Sequence, residues 1–300
     1  MTAEIYDRDT ANTAAAPSGA AARPVVGGGR RGPLAALAGT RGLTRGLIVP
    51  ALLLAGWAAL SWTGVFAPNL VPSPEAVLVE ISGLWASGEL TSHIGVTLTR
   101  VLFGFLAGTA AATLLGALTG YSRTARELLD PTLQALKAVP SLAWVPLFIL
   151  WFGIFEASKV TLIAVGVFFP IYLNLVEGIQ GVDRKLVEVA RLNRFSRLDL
   201  VRRVLLPATL PAYVVGLRAG LALGWMFVIA AELMGASEGL GYLMVDGQMT
   251  GRPAVIVASL ILFAIAGKLT DAILAASARP FLAWQDGFGD MKGASHARNR

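Results

Sequence analysis

The sequence predicts an all-α integral membrane protein with six transmembrane helices and a cytoplasmic amphipathic loop between the fourth and fifth. Three observations carry this. Hydrophobic residues make up 55% of the 300 residues and charged residues only 15%, where a soluble domain carries about 25% charged residues. The apolar residues fall in six continuous stretches, and the basic residues fall almost entirely on one side of them. A chain of this length would otherwise suggest two soluble domains, but with a mean hydropathy of +0.65 it lacks the charge to coat them. With no cysteine and only two histidines, His93 and His296, thiolate metal sites, disulfides, cysteine nucleophiles and zinc or triad clusters are excluded.

Residues 1–45 are rich in Ala, Gly, Thr and Pro with interspersed arginines. No apolar period runs through them, so they read as a disordered basic tail. The first long apolar stretch begins only near residue 46, too late for a signal peptide. A bilayer core of about 30 Å needs about 20 helical residues. Six stretches fit: 46–66, 99–120, 138–155, 159–178, 208–234 and 253–277. They are continuously apolar rather than alternating, which indicates helices and not barrel strands. The 46–277 region is thus one membrane domain, followed by a second tail over 278–300. The second stretch carries Gly104, Gly108, Ala112, Gly116 and Gly120 at four-residue spacing, and the fifth Gly216, Gly220 and Gly224. Small residues on one face let helix backbones approach closely. Plain packing and a face that slides during a transport cycle are both open readings.

Orientation follows from the basic residues. Twenty of the twenty-five Lys and Arg lie in the N-terminal tail, in 121–138, in 177–207 and after 277. These segments, and both termini, are placed in the cytoplasm. Arg100, Lys159 and Arg252 fall on the opposite side, and Arg218 and Lys268 inside spans. The net charge of +6 therefore marks the inner leaflet of a membrane and not a nucleic-acid partner.

The interval 179–207 is the unusual part. It combines seven basic residues with a helical apolar pattern: Leu186, Val189, Ala190 and Asn193, then Leu198, Val201 and Leu205. The pattern breaks at Asn193-Arg194-Phe195-Ser196, where Ser196 is placed to cap a second short helix. It ends at Leu206-Pro207, with Pro207 an early helix position of the next span. Two short amphipathic helices at the membrane surface result. By composition alone, lipid headgroups account for them as well as a protein partner does.

The stretch Glu188-Val189-Ala190-Arg191, followed by Leu206-Pro207, resembles the EAA loop of ABC importer permeases. The resemblance runs from about residue 50 to 285 and includes VPSPEAV at 71–77, LLDPTLQALKAVPSLAWVPLFILWFGIFEASK at 128–159, FFPIYLN at 168–174 and GASEGLGYLM at 235–244. This combination is similar to the subgroup importing aliphatic sulfonates, taurine or nitrate, with the sulfonate members nearest. The resemblance implies a bacterial plasma-membrane subunit that works as a homodimer with a cytoplasmic ABC ATPase and an extracytoplasmic solute-binding protein. It also implies that Glu188, Ala190, Arg191, Asn193, Arg194, Ser196 and Pro207 couple the chain to the ATPase. One position departs from the pattern. The family normally has glycine where this chain has Arg194, and a left-handed backbone there costs arginine about 1 kcal/mol or more. Asn193 tolerates that region better, so a turn shifted by one residue is the alternative.

No GxxxxGK[ST] phosphate loop occurs: Gly27-Gly28-Gly29-Arg30-Arg31 and Gly267-Lys268-Leu269-Thr270 both depart from it. ATP and its magnesium therefore belong to another polypeptide, and no cofactor is expected on this one. A self-contained secondary transporter is the rival reading from another class. It calls for broken spans at matching places in two halves, and the prolines here (Pro140, Pro146 and Pro170 against Pro207 and Pro211) do not match.

An ionised group at the bilayer centre costs about 2.5–3.5 kcal/mol on insertion scales. Arg218 and Glu232 lie within about 40° of one helix face but roughly 21 Å apart along the axis, so they do not pair directly. Each is either an interhelical clamp or part of a path. Lys268 and Asp271, three apart, are placed to pair with each other or to snorkel. A carried anion needs cations or donors along its way, and the candidates are Arg218, Asn174, Tyr172 and Trp225, with Ser141 beside them and Glu232 near the outer mouth.

Overall fold

The computed structural model describes residues 33–64 and 70–282, with side chains from residue 48 onward except at 191 and 197. Most of the expected N-terminal tail, residues 65–66 of the first stretch and most of the expected C-terminal tail lie outside the described residues. Two compact units are distinguished, one ending at Ala55 and one beginning at Gly56. The packing described below belongs to the second.

All described regular structure is helical. Helix α1 spans Pro33–Trp62 and so begins well ahead of the expected residue 46. The Ala- and Leu-rich 33–38 has high helix propensity without needing an apolar period, and Pro33 suits a first helical position. Its apolar part, Ile48–Trp62, is shorter than a full span. Helix α2 covers Pro74–Ala86: Ser73 Oγ accepts from Ala76 N at 3.1 Å and Pro74 takes the first turn, so the VPSPEAV string is a helix start. Helix α3 is Glu89–Tyr121, α6 is Glu156–Gln180, α9 is Leu206–Leu233 and α11 is Pro253–Ala278. These are long and apolar enough to cross a membrane, α9 together with the residues just before it.

The third apolar stretch, 138–155, is not one span. The chain runs as α4, Arg123–Ala138, then a 3-10 turn at Ser141–Trp144 and a short α5, Val145–Phe152, bent by 90°. The reason is local. Proline disfavours the helical region for the residue before it, and Val139 is extended (ψ 121°) ahead of Pro140. Among the described residues, counting the bent pair as one crossing gives five candidate spans, otherwise four. Between α6 and α9 lie α7, Arg184–Leu192, and α8, Arg197–Leu200; between α9 and α11 lies α10, Leu240–Met249. Gly239 is the N-cap of α10.

Helix α6 is the centre. Leu162, Ile163, Val167, Ile171 and Tyr172 on it are buried, with α3 on one flank and α9 on the other. The two small-residue faces meet it there. A Cβ on Gly108 would lie 2.5 Å from the carbonyl oxygen of Ala164, and one on Gly220 would lie 3.1 Å from that of Val167. The helices are therefore in backbone contact. The opposite face of α3 exposes Leu102, Phe103, Leu106 and Leu114. Small residues point in and large apolar ones point out, the arrangement suited to lipid.

Candidate functional site

The loop between α6 and α9 is built by caps. Asp183 Oδ1 accepts from Lys185 N at 2.9 Å and opens α7. At its other end Asn193 N reaches Val189 O at 3.1 Å and Phe195 N reaches Ala190 O at 3.1 Å. This is a Schellman ending with Arg194 in the left-handed position, φ 54°. The turn is not shifted onto Asn193, whose Nδ2 bonds Val189 O at 2.8 Å. Ser196 then caps α8: its Oγ accepts from Asp199 N at 3.1 Å and donates to Asp199 Oδ2 at 2.6 Å, a capping box. That hydroxyl bond, with Arg203 and Arg202 nearby, holds the Asp199 carboxyl below its usual pKa.

Helix α8 is not a separate element from the next span. It continues through a π-helical turn, Val201–Leu205, directly into α9. Leu206 N bonds Val201 O, so the wide turn precedes Pro207, which has no N–H to give. A groove of about 380 Å³ opens between α7 and the start of α9. Leu186, Val189, Ala190, Asn193, Phe195 and Pro207 line it, and Arg203 stacks over Phe195 at 5.7 Å. Ala190 is buried, while Glu188 and Arg194 are exposed. Of Arg191 only the backbone is described.

The six candidates for a path are not gathered in one place; Ser141 opens the 3-10 turn before α5. Arg218 forks onto Asp271 of α11, Nε to Oδ1 at 2.7 Å and Nη2 to Oδ2 at 2.8 Å. Asp271 therefore takes its cation from α9 rather than from Lys268 as expected, because a bidentate guanidinium fits the carboxylate plane. Trp225 Nε1 donates to Thr270 Oγ1 at 2.9 Å. Asn174 returns its amide to Pro170 O at 2.8 Å in its own helix. Tyr172 is buried and its hydroxyl donates to Asp130 of α4 at 3.1 Å.

Glu232 belongs to a buried polar cluster that sequence reasoning missed. Arg100 is 3% exposed. Its Nε and Nη2 each lie 2.6 Å from a Glu156 oxygen, and its Nη1 donates to Glu232 Oε1 at 2.8 Å and to Glu238 O at 2.6 Å. Glu232 further accepts from Thr97 Oγ1 at 2.8 Å and Gly241 N at 2.7 Å. Leu240 N reaches Thr97 Oγ1, and Gly239 N reaches His93 Nδ1, both at 2.9 Å. Lys159 closes the set on Glu156 at 3.1 Å. Two cations meet two anions, and the first N–H groups of α10 are capped by side chains of α3 and α9. Arg100 and Lys159, assigned to the outer side by counting charges, are buried among these partners. An arginine next to an apolar run was the one available signal; its partners lie 56 and 132 residues away.

Such an architecture, a helical bundle with lipid-facing apolar surface, buried compensated charges and an amphipathic helix pair rooted in one span, defines a multi-pass membrane transport subunit. The family of inner membrane components of binding-protein-dependent transport systems matches residues 104–280. The chain belongs to that family, and is the permease component of an ABC importer, not itself catalytic. It is 40% identical over 247 residues to the protein of Bacillus subtilis (strain 168) named as an aliphatic sulfonates transport permease protein, SsuC, covering 82% of this chain and 90% of that one. The Escherichia coli (strain K12) protein of the same name is 40% identical over 240 residues, 80% and 91% of the two chains. The fold matches a chain of the MetNI methionine ABC transporter, solved in inward facing conformations, with a TM-score of 0.55 at 19% identity over 70% of this chain and 99% of that one.

Proposed function

We propose that the chain carries aliphatic sulfonates inward across the plasma membrane of a bacterium, as a homodimer served by a cytoplasmic ATPase and an external solute-binding protein. The observation that carries the substrate reading is the 40% identity, along most of both chains, to two relatives named for aliphatic sulfonates. Taurine and nitrate are the neighbouring alternatives. In this reading α1, the bent α4–α5 pair, α3, α6, α9 and α11 make six crossings, with both termini and the 179–207 loop in the cytoplasm. The positive-inside distribution supports that orientation.

The ATPase grips residues 183–204, with Glu188, Ala190, Arg191, Asn193, Arg194, Ser196 and Pro207 forming or shaping the handle. The unbroken path from α8 into α9 supports this: a push on the loop moves a 36-residue helix, Leu198–Leu233, as one lever. Nucleotide and loaded binding protein then bias one two-state equilibrium between inward- and outward-facing forms. Among the path candidates Arg218 is the one whose side chain is half exposed, which suits contact with a passing anion. Glu232, Tyr172, Asn174 and Trp225, tied by their bonds, frame the path rather than touch its contents.

Uptake into proteoliposomes holding the chain, its ATPase and its binding protein tests the substrate. Labelled ethanesulfonate accumulates with ATP, and excess unlabelled ethanesulfonate suppresses the signal more than taurine or nitrate does. Suppression by nitrate or taurine alone transfers the assignment to that solute.

A further inference from the structure

We infer that Arg194 is a partner-reading residue, whose guanidinium pairs with a carboxylate on the ATPase surface that receives the loop. The inference rests on the docking role proposed above and adds to it the chemistry of the receiving surface.

Among the described residues Arg194 is the only non-glycine with positive φ. That region is sterically costly for a side-chain-bearing residue. A strained conformation persists where surrounding structure holds it, and such positions concentrate at functional sites. Here the holding structure is visible: the α7 ending below and the Ser196–Asp199 box above. The neighbouring polar side chains spend their bonds inside the loop. Asn193 bonds Val189 O, Ser196 bonds Asp199, and Arg203 lies on Phe195 and against Asp199 at 3.4 Å. Arg194 does not: it is exposed, and among the described residues its guanidinium has no hydrogen bond or ion pair.

Its position completes the argument. Arg194 lies between Asn193 and Phe195, both of which line the apolar groove. A partner segment seated in the groove comes within reach of the guanidinium. The loop from 183 to 204 holds seven Lys and Arg against three Asp and Glu, so the complementary surface is acidic. An arginine on the rim of an apolar contact, free of internal partners, is suited to a forked bond with a carboxylate.

The test uses the full chain in nanodiscs and the purified ATPase of its own transport system, with binding measured at low and high salt. Arg194→Gly is expected to weaken binding about tenfold at low salt, with the gap closing as salt rises. Arg194→Glu weakens it further, and Arg194→Lys recovers part of the loss. Arg194→Gly also unfolds at a higher temperature than the parent, so its weaker binding is not a folding defect. Equal affinity of parent and Arg194→Gly at low salt overturns the pairing and leaves the docking role standing. A parent chain that binds no ATPase removes the docking role and the pairing together. If Arg194→Gly loses affinity for phosphatidylglycerol vesicles while keeping its affinity for the ATPase, the residue reads lipid and the inference is overturned.

Discussion

Arg100 on α3 and Glu232 on α9 meet at 2.8 Å where neither side chain is more than 4% exposed. The pair also ties down three further places: Glu156 at the start of α6, the carbonyl of Glu238 and, through Glu232, the first turn of α10. Removing one partner of a buried pair leaves an uncompensated charge, which costs about 3–5 kcal/mol. Arg100→Met should therefore lower the unfolding temperature in detergent sharply. Glu156→Gln should do so less, since that side chain is 60% exposed. Arg100→Met combined with Glu232→Met should recover part of the loss, and a double variant no better than the sum of the singles would show that the two do not act as a pair.

Backbone contact between α3 and α6 predicts a second outcome. Gly108→Ala places a Cβ 2.5 Å from a carbonyl oxygen, which cannot swing aside as a side chain does, so a loss of about 1–3 kcal/mol is expected. Gly83→Ala on α2 meets nothing within 4 Å and should gain about 0.5–1 kcal/mol. Thermal unfolding of the two variants side by side decides it; effects of the same sign contradict the packing described.

Acid should loosen the loop through Asp199. Its carboxyl pKa is lowered in the folded chain, first by the Ser196 hydroxyl. A carboxylate depressed on folding stabilises above its unfolded pKa, about 3.9, and that contribution is lost as pH falls through the folded value. The protection factor of α8 amides, which corrects exchange for its intrinsic pH dependence, should fall below about pH 4 in the parent. Asp199→Asn should exchange faster already at neutral pH and change less on acidification. A parent and variant that respond identically to acid exclude the capping box as the cause.

Arg218 and Asp271 offer a separation of stability from transport. The pair is partly exposed, 49% and 27%, so its loss should change the unfolding temperature little. With Arg218 on the anion's route, Arg218→Gln lowers sulfonate uptake several-fold, and Asp271→Asn, which releases the guanidinium, lowers KM. Uptake unchanged in Arg218→Gln takes the residue off the route.

Glu188 is exposed on α7, so Glu188→Lys should leave folding and membrane insertion intact while ATP-driven uptake is lost. Normal uptake in that variant would refute the coupling role of the loop.

How far the sequence carried the fold depended on the range of each interaction. The Asn193–Ser196 break and the Ser196 cap are set by residues within one or two turns, and they stand where local rules put them; the left-handed residue, open between Asn193 and Arg194, is Arg194. The continuous helix through Pro207 was not legible, because a π-helical turn absorbs a proline that by rule marks a boundary. Nor was the break at Pro140, hidden in a stretch whose composition is uniformly apolar. Asp271 illustrates the rest: Lys268 was its neighbour in sequence, Arg218 its neighbour in space.

By itself the sequence determined that this chain lives in a membrane, that it is helical, and that a capped amphipathic helix pair interrupts its spans. Those are properties of composition and of residues a few positions apart. The tertiary structure decided which charges neutralise one another and that the glycine faces of α3 and α9 both close on α6. These depend on how helix faces dock across 50 to 130 residues of chain, and no local pattern encodes that choice.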